Sequence, residues 1–561
     1  MPVVEVPLIT LMNGFPRTPL EEVVSALPFL GLDIEGRDGK CIRLEYNPNR
    51  PDFSSYCGII RALKGYLGIE TALPRYRLFR NPNFEIVVDR SIKAVRPYIR
   101  ALVARNAVLD RGTVKMLIDM QEDLHNGICN KRKLASIGLH NPARVKFPLN
   151  YGLTNSDTTF VPLDHEESLT LDEILTSTDV GRKYSSLLHK SNKKLPILGD
   201  AEGRVLSFPP IINSSFTKLD HLSNGVFVEV TAIDRSIADL VAAIYASTLC
   251  DMNFMVYHVL LKEPDGSISK SPDMIPSIAS TRFREIDRFL GFEFPKRQIV
   301  MAAKRSRLGI RNSSREILSC TIPRYRTDIR HSRDLVEEVM IGLGISKLSP
   351  VLPLVNATGS RNNTSVLFEK IRQVLVGLGL LEIKSSNLVS TYVQFESMGV
   401  EPNAHSIVKI ANPFVSGHDT LRDSLLPSLV ETLSHNVHTS YPQNIFEVGK
   451  VFAKRKKESE KWHLCVAIAH NKADYTGIKA MLQAFMKTTF GKDVETTTPE
   501  SHNEMYVSGR SADIMVDGMM VGVLGQVSTL VVLNHRIRVP VSAYEMDLSH
   551  FLKSFRSRNK K

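Results

Sequence analysis

Four carboxylates stand within eleven residues at Asp328, Asp334, Glu337 and Glu338. On a helix, the i, i+3, i+4 spacing of Asp334, Glu337 and Glu338 lets them converge at one end. Such a group could hold Mg²⁺ through one or two carboxylates, with water completing the octahedron. The same residues also suit a helix start, with Asp334 as N-cap and Glu337 as the capping-box acid, both favoured by the helix dipole. Residues alone leave both readings open. A second polar constellation runs from Leu198 through Ser207, Pro209-Pro210 and Asn213 to Glu229 and Thr231. Hydroxyl, amide and carboxylate groups on or beside strands, flanked by stiff proline turns, make a rigid polar pocket. It could recognise a phenol hydroxyl and hold a water for ester hydrolysis. The other reading is a satisfied turn at Asn213-Ser214 and a solvent-side Thr231. His435 and His438 are too few for a metal site, which needs more ligands nearby, and read as surface or interface residues.

Several chemistries have no local support. There is no G-x-x-x-x-G-K-[ST] loop, no G-x-G-x-x-G after a strand, no H-E-x-x-H and no G-x-S-x-G. The six cysteines form no C-x-x-C pair, which argues against a local zinc knuckle and fits buried thiols in a reducing compartment. The N-terminus lacks the pattern of a signal or transit peptide, and the longest apolar run, Val374 to Leu381, cannot span a bilayer. A cytoplasmic protein is expected. Lys and Arg total 71 against 59 Asp and Glu, a net charge of +12. This permits a nucleic-acid partner. Basic clusters lie at 131–133, 193–194, 454–457 and 556–561, where solvated loops explain them equally well.

The elements that must position these groups follow from patterning. The 561 residues, 43% hydrophobic and 23% charged, exclude a mainly disordered chain and suggest three to four domains. Residues 1–88 open with a strand and a helix bearing Leu20, Val23, Val24 and Leu27. The stiff turn Asn47-Pro48-Asn49-Arg50-Pro51-Asp52 follows, then a helix capped by Asp52 or Ser54. Residues 89–265 carry short strands at 160–163, 205–208 and 226–230 and a helix from Ser236 to Cys250, an α+β pattern without βαβ alternation. Residues 270–348 are small and mixed, with a helix opening at Asp334. A Gly/Asn-rich linker leads to a last domain, 355–555, with a long helix from Val366 and a helix whose first turn tolerates Pro427. Strands of an antiparallel sheet lie at 444–452, 465–470, 512–516 and 519–525, and Glu545 to Leu548 is expected to be helical.

Ordered motifs resemble the phenylalanyl-tRNA synthetase beta subunits of the archaeal and eukaryotic cytosolic type. They are Asn47 to Asp52 with the helix Gly58 to Gly65, Arg96-Pro97-Tyr98, Leu124-His125, Ala135-Ser136-Ile137-Gly138, Phe160 to Leu163 and Ser207 to Asn213. Tyr325 to Asp328 with Asp334 to Glu338, Asn412-Pro413, Leu421-Arg422 with Ser424 to Pro427, and Tyr441 to Gly449 continue the series. The resemblance covers residues 1 to about 550. It implies an α+β multidomain chain: an N-terminal domain, a B3/B4 tRNA-editing domain, a winged-helix-like B5 domain and a class II synthetase-like antiparallel sheet domain. It also implies an (αβ)₂ heterotetramer whose alpha subunit uses ATP to attach phenylalanine to tRNA(Phe). The beta chain would be a non-synthetic partner, because 444–452 carries no arginine where a motif-2 strand would present one to the ATP phosphate, and 545–548 lacks the Gly-rich, Arg-ending motif 3.

The family assigns Mg²⁺ to carboxylates matching Asp328, Asp334, Glu337 and Glu338. Its editing pocket, which hydrolyses mischarged Tyr-tRNA(Phe), matches Leu198, Ser207, Asn213, Glu229 and Thr231. Asn213 or Glu229 would read the phenol; Ser207 or Thr231 would position the ester or water. Three departures stand near it: Thr231-Ala232-Ile233-Asp234 for the usual Thr-Gly-Thr-Asp, Asn130 for arginine and Asn141 for aspartate. A bulkier Ile233 beside the pocket, and a lost cation at Asn130, would weaken editing. Two other classes fit the composition, a nucleic-acid-binding scaffold and a stand-alone aminoacyl-tRNA hydrolase.

Overall fold

The computed structural model describes residues 2–106, 109–188, 194–313, 316–355, 357–401, 407–415, 417–454, 458–499 and 503–558, without the side chains of 458–459 and 554–558. Of the basic clusters, Lys193, 455–457 and 559–561 lie outside the described residues, as do the side chains of 556–558. The chain divides into two compact units, Met1–Leu352 and Pro353–Lys561, parting just before the expected linker at 355–364. No described helix is long and apolar enough to cross a membrane.

The first unit holds three large elements. Strands Val3–Pro7, Cys41–Tyr46 and Leu32–Arg37 form an antiparallel sheet in that spatial order. Beside it, the turn at 47–52 closes on itself: Arg50 donates twice to the Asp52 carboxylate, each bond 2.9 Å. The following helix, Tyr56–Tyr66, is capped by Ser55, whose hydroxyl accepts from the Gly58 amide at 3.4 Å. The cap is therefore neither Asp52 nor Ser54, since Pro51–Ser54 already form a 3-10 turn. Gly58 is obligatory, because a Cβ there would lie 1.8 Å from the Asp52 carbonyl oxygen. One turn on, buried Arg61 pairs with Asp251 at 2.5 Å and lies 4.0 Å over the Tyr325 ring, tying three regions together.

The central element is a ten-stranded sheet. Its order is Ile212–Asn213, Val205–Phe208, Lys194–Gly199, Leu149–Asn155, Phe79–Val88, Met255–Lys262, Tyr98–Arg105, Gly225–Ala232 and Ala135–His140, with Ile268–Ser271 beside Met255–Lys262. The strand Phe79–Val88 belongs here, although the expected first boundary at 88 sets it with the N-terminal residues; it pairs in parallel with two neighbours. Gly225–Ala232 is buried at all eight positions. Side chains alternate across a strand. Val226, Val228, Val230 and Ala232 therefore pack in one core with the helices Arg111–Asn126 and Arg235–Asp251, leaving Phe227, Glu229 and Thr231 on the opposite face.

The third element sets the sheet Ser277–Arg282, Ile317–Ile322, Gly309–Ser313 against helices Phe283–Leu290, Lys296–Arg305 and Ser332–Leu343. The last helix begins at Ser332, two residues before the expected start. Asp334 is its N3 residue rather than its N-cap, accepting from the Arg330 and His331 amides at 2.7 Å.

The second unit is built on a seven-stranded sheet ordered Leu381–Glu382, Gln443–Lys454, Glu458–Ala469, Val541–Asp547, Met519–Val527, Tyr506–Val516 and Glu495–Thr497. Only its first pair is parallel. Residues 545–547, expected to be helical, are the end of the strand Val541–Asp547; Glu545 and Asp547 pair across to Cys465 and His463. Helices Asn363–Gly377 and Tyr475–Phe490 cover one face, and Leu426–His435, with Pro427 in its first turn, covers the other.

Candidate functional site

A cavity of about 680 Å³ opens in the first unit, walled by Ser136, Pro209, Pro210, Asn213, Ser214 and Glu229 among others. Asn213 lies on one terminal strand of the ten-stranded sheet and Ser136 on the other. The sheet therefore curls until its two ends face a common space. Of the five expected pocket residues, Asn213 and Glu229 reach the cavity wall. Ser207 stands behind Glu229, donating to its Oε1 at 3.0 Å. Thr231 is fully buried behind Ser136, and Leu198 packs in the hydrophobic core with no polar role.

Glu229 is 2% exposed, and its second oxygen, Oε2, has no partner among the described residues. A buried unpartnered carboxylate oxygen is costly to leave so, and points to a donor supplied from the cavity. Gly138, cross-strand neighbour of Glu229, has no room for a side chain, because Glu229 Oε1 and His140 Nε2 fill the space above it. His140 closes the far side. Its Nδ1 is bonded to Thr217 Oγ1 at 2.7 Å, while Nε2 lies 4.0 Å from Glu229 Oε1 and is also unpartnered. Beneath, Arg96 donates to Thr231 Oγ1 at 3.0 Å, to its carbonyl at 2.8 Å and to Ser136 Oγ at 3.3 Å. Burial pushes this guanidinium below its ordinary value, with Tyr151 and Glu229 countering.

The outer wall carries more charge. His125 Nε2 accepts from the Ile137 amide at 2.9 Å, so its Nδ1–H donates to Glu122 at 3.1 Å. That hydrogen bond, with the Arg132 guanidinium, holds Glu122 down to about 2, while burial holds His125 low. Arg132 also ties down the proline turn, donating to the Ile211 carbonyl at 2.8 Å. At the rim His165 Nδ1 bonds the Leu163 carbonyl at 3.0 Å, which leaves Nε2 free to accept a proton. The three departures stand elsewhere. Ile233 is 43% exposed, and neither it nor Ala232, Asn130 or Asn141 forms part of the cavity wall, so the expected crowding by Ile233 does not occur.

Sequence reasoning missed Ser136, Gly138, His140 and His165. The first two stood inside a quoted motif, yet their chemistry appears only once strand pairing sets them opposite Thr231 and Glu229.

The acidic cluster is organised by a cation. Buried Arg326 bonds Asp328 Oδ1 at 2.8 Å and Oδ2 at 2.5 Å, and Glu338 at 2.5 and 3.2 Å. Asp334 is committed to its helix start, and Glu337 is exposed without a partner among the described residues. No group of three or more His, Cys, Asp or Glu among the described residues is placed to hold a metal. With two carboxylates bonded to one guanidinium and a third capping, this donor set does not fit Mg²⁺ as arranged. His435 and His438 are both exposed, and His435 ends its helix.

In the second unit Arg422 and Glu447 are fully buried and paired at 2.9 Å, with Ser385 and the Lys450 carbonyl completing the guanidinium's bonds. This arginine is enclosed and unavailable to a phosphate. Nearby, Glu545 accepts from Ser424 at 2.7 Å and from the Leu425 and Leu426 amides at 3.1 Å, fastening a helix start to the sheet.

Comparison with known proteins places these features. Residues 348–548 match the phenylalanyl tRNA synthetase beta chain CLM domain, and residues 279–345 match the tRNA synthetase B5 domain. The phenylalanine–tRNA ligase beta subunit of Methanococcoides burtonii is 32% identical over 548 residues, spanning 97% of this chain and 100% of its own. That of Archaeoglobus fulgidus is 33% identical over 532 residues, 95% of each. A crystallised N-terminal fragment of the Pyrococcus horikoshii phenylalanyl-tRNA synthetase beta subunit aligns with a TM-score of 0.58 and 28% identity, over 61% of this chain and 100% of that one.

Proposed function

Because this chain belongs to the phenylalanine–tRNA ligase beta-subunit family, we propose that it supports ATP-dependent attachment of phenylalanine to tRNA(Phe) by an alpha subunit and removes mischarged tyrosine in its own cavity. The assembly is an (αβ)₂ heterotetramer in the cytoplasm. ATP, phenylalanine and the accompanying Mg²⁺ belong to the alpha-subunit reaction, and no step runs through the Asp328–Glu338 cluster. Residues 355–555 act as a catalytic-like partner surface, consistent with Arg422 being spent on Glu447. Residues 89–265, with the strand Phe79–Val88, form the editing part, and 270–348 the B5 part.

The observation that carries the editing reading is the unpartnered Glu229 Oε2 on the cavity wall. Tyrosine differs from phenylalanine by one hydroxyl. A buried acceptor that only this hydroxyl satisfies discriminates strongly, because phenylalanine leaves it unpaired. Asn213, whose side-chain amide makes no hydrogen bond among the described residues, is the second reader. For hydrolysis, a water oxygen attacks the ester carbonyl and gives a proton to His165 Nε2. The bond from that carbonyl to the ribose oxygen breaks, and the ribose oxygen takes the proton back.

The test is co-expression with the alpha subunit. The pair should charge tRNA(Phe) while neither chain does so alone, and it should deacylate Tyr-tRNA(Phe). Deacylation should be lost in Glu229→Gln and in Asn213→Ala. Binding of tRNA with a steep salt slope, without charging or deacylation, would favour a scaffold.

A further inference from the structure

Ser136 lines the same cavity as Glu229, and its hydroxyl can donate where the carboxylate only accepts. An arginine only donates. Arg96 therefore occupies an acceptor site on both hydroxyls, Thr231 Oγ1 at 3.0 Å and Ser136 Oγ at 3.3 Å. The two hydroxyls lie 2.9 Å apart, so one donates to the other. Either can be the donor, because the buried Thr231 hydroxyl also meets the Tyr151 hydroxyl. Where Thr231 donates to Ser136, the Ser136 proton turns to the cavity that this residue lines, and the order is Arg96 to Thr231 to Ser136 to ligand. Arg96 meets no carboxylate within ion-pair distance among the described residues, so its bonds here go to the two hydroxyls and to backbone carbonyls.

Ser136 pairs across from Thr231, and Gly138 from Glu229. Ser136 and Glu229 are therefore diagonal neighbours on one face, roughly 7–8 Å apart at Cα and closer at the side chains. Both line one cavity. One oxygen seated there can accept from Ser136 and donate to Glu229 Oε2. A hydroxyl does both at once; an ammonium, a carboxylate and a bare ring edge cannot.

We propose that Ser136 is a second specificity-determining contact for the phenol, donating to the phenol oxygen while the phenol donates to Glu229, and that Arg96, which donates to the Ser136 and Thr231 hydroxyls, is the positioning residue that holds them in place. This rests on the editing reading and extends it.

The experiment uses the full chain purified with its alpha partner, and compares wild type, Ser136→Ala and Ser136→Thr. Steady-state deacylation of tyrosyl-tRNA(Phe) and phenylalanyl-tRNA(Phe) is measured. Ser136→Ala should reduce the preference for the tyrosyl ester about tenfold, mainly through KM, with deacylation of the phenylalanyl ester unchanged. Ser136→Thr, which keeps the hydroxyl, should restore most of the preference. An unchanged preference in Ser136→Ala overturns the proposal. So does an equal loss on both esters, which marks a merely structural role. If wild type deacylates neither ester, the editing reading fails, and binding decides Ser136 independently. L-tyrosinamide and L-phenylalaninamide are then titrated by ligand-observed NMR. A tyrosine preference lost in Ser136→Ala upholds the contact; equal binding of the two amides to wild type overturns it.

Discussion

Replacing Gly138 with alanine tests the seating of the Glu229 carboxylate on the cavity wall. A Cβ built there lies 2.4 Å from Glu229 Oε1, 2.8 Å from His140 Nε2 and 3.0 Å from Glu229 Cδ. Ordinary contact begins near 3.4 Å, so the carboxylate must move by about 1 Å. It has little room to do so: Glu229 is 2% exposed, Ser207 holds its Oε1 at 3.0 Å, and the fully buried His140 stands on the other side. Overpacking of this kind costs about 1–3 kcal/mol. A misplacement of about 1 Å at a reacting or reading group can cost on the order of 100-fold in rate. Gly138→Ala should therefore lower deacylation of Tyr-tRNA(Phe) about 100-fold, while the melting temperature drops modestly. The assay follows release of labelled tyrosine from purified mischarged tRNA, with thermal melting and co-purification of the alpha subunit as folding controls. A folded Gly138→Ala protein that deacylates within twofold of wild type would refute the assignment of the phenol to Glu229.

Two further expectations concern stability. Burial and the neighbouring charges of Asp119 and Glu122 raise the Asp123 carboxyl to about 6, against the 3.8 of a free aspartate. The folded state holds this proton between those values, so the stability it contributes is present below about 3.8 and lost as pH rises through 6. Asp123→Asn should raise the melting temperature at pH 7.5, with a gap from wild type that grows between pH 4 and 6.5 and vanishes below it; a constant gap would contradict this. In the second unit, Glu447→Gln strands a fully buried Arg422 without its carboxylate, and should destabilise by about 3–5 kcal/mol in urea unfolding. A loss below about 1 kcal/mol would mean that Ser385 and the Lys450 carbonyl suffice.

How much of this was legible in the sequence depended on range. Local signals were read well. Apolar spacing located the helices Leu20–Ala26 and Leu426–His435, and Pro427 marked a first turn. Where two adjacent residues compete for one task, the reading slipped. Ser55 rather than Ser54 caps Tyr56–Tyr66, because the proline-led 3-10 turn uses Ser54 to bond the Pro51 carbonyl. Asp334 sits three residues into its turn rather than before it. Glu545 to Asp547 carry helix-tolerant residues, yet pairing with His463 to Cys465 makes them strand, an instance of tertiary context overriding propensity. The pocket was half visible. Asn213 and Glu229 are polar groups in an apolar setting and stand out, whereas Ser136 and Gly138 gain meaning only from residues about ninety positions away. The four carboxylates were visible as a cluster, but the arginine that claims two of them, Arg326, reads as one more basic residue until the chain folds back.

The strand Phe79–Val88 runs in parallel between Leu149–Asn155 and Met255–Lys262, near the middle of the sheet that encloses the cavity. Its removal would not shorten the sheet from one side but split it, baring two inner edges at once. Exposed edges of that kind recruit strands from other molecules. A gene fragment that starts at residue 89 would thus lose solubility before it lost anything else, whereas one that starts upstream of Phe79 keeps the sheet whole. The same logic makes the strand Phe79–Val88 a poor place for a proteolytic nick or an inserted tag, even though it reaches the cavity only through its neighbours.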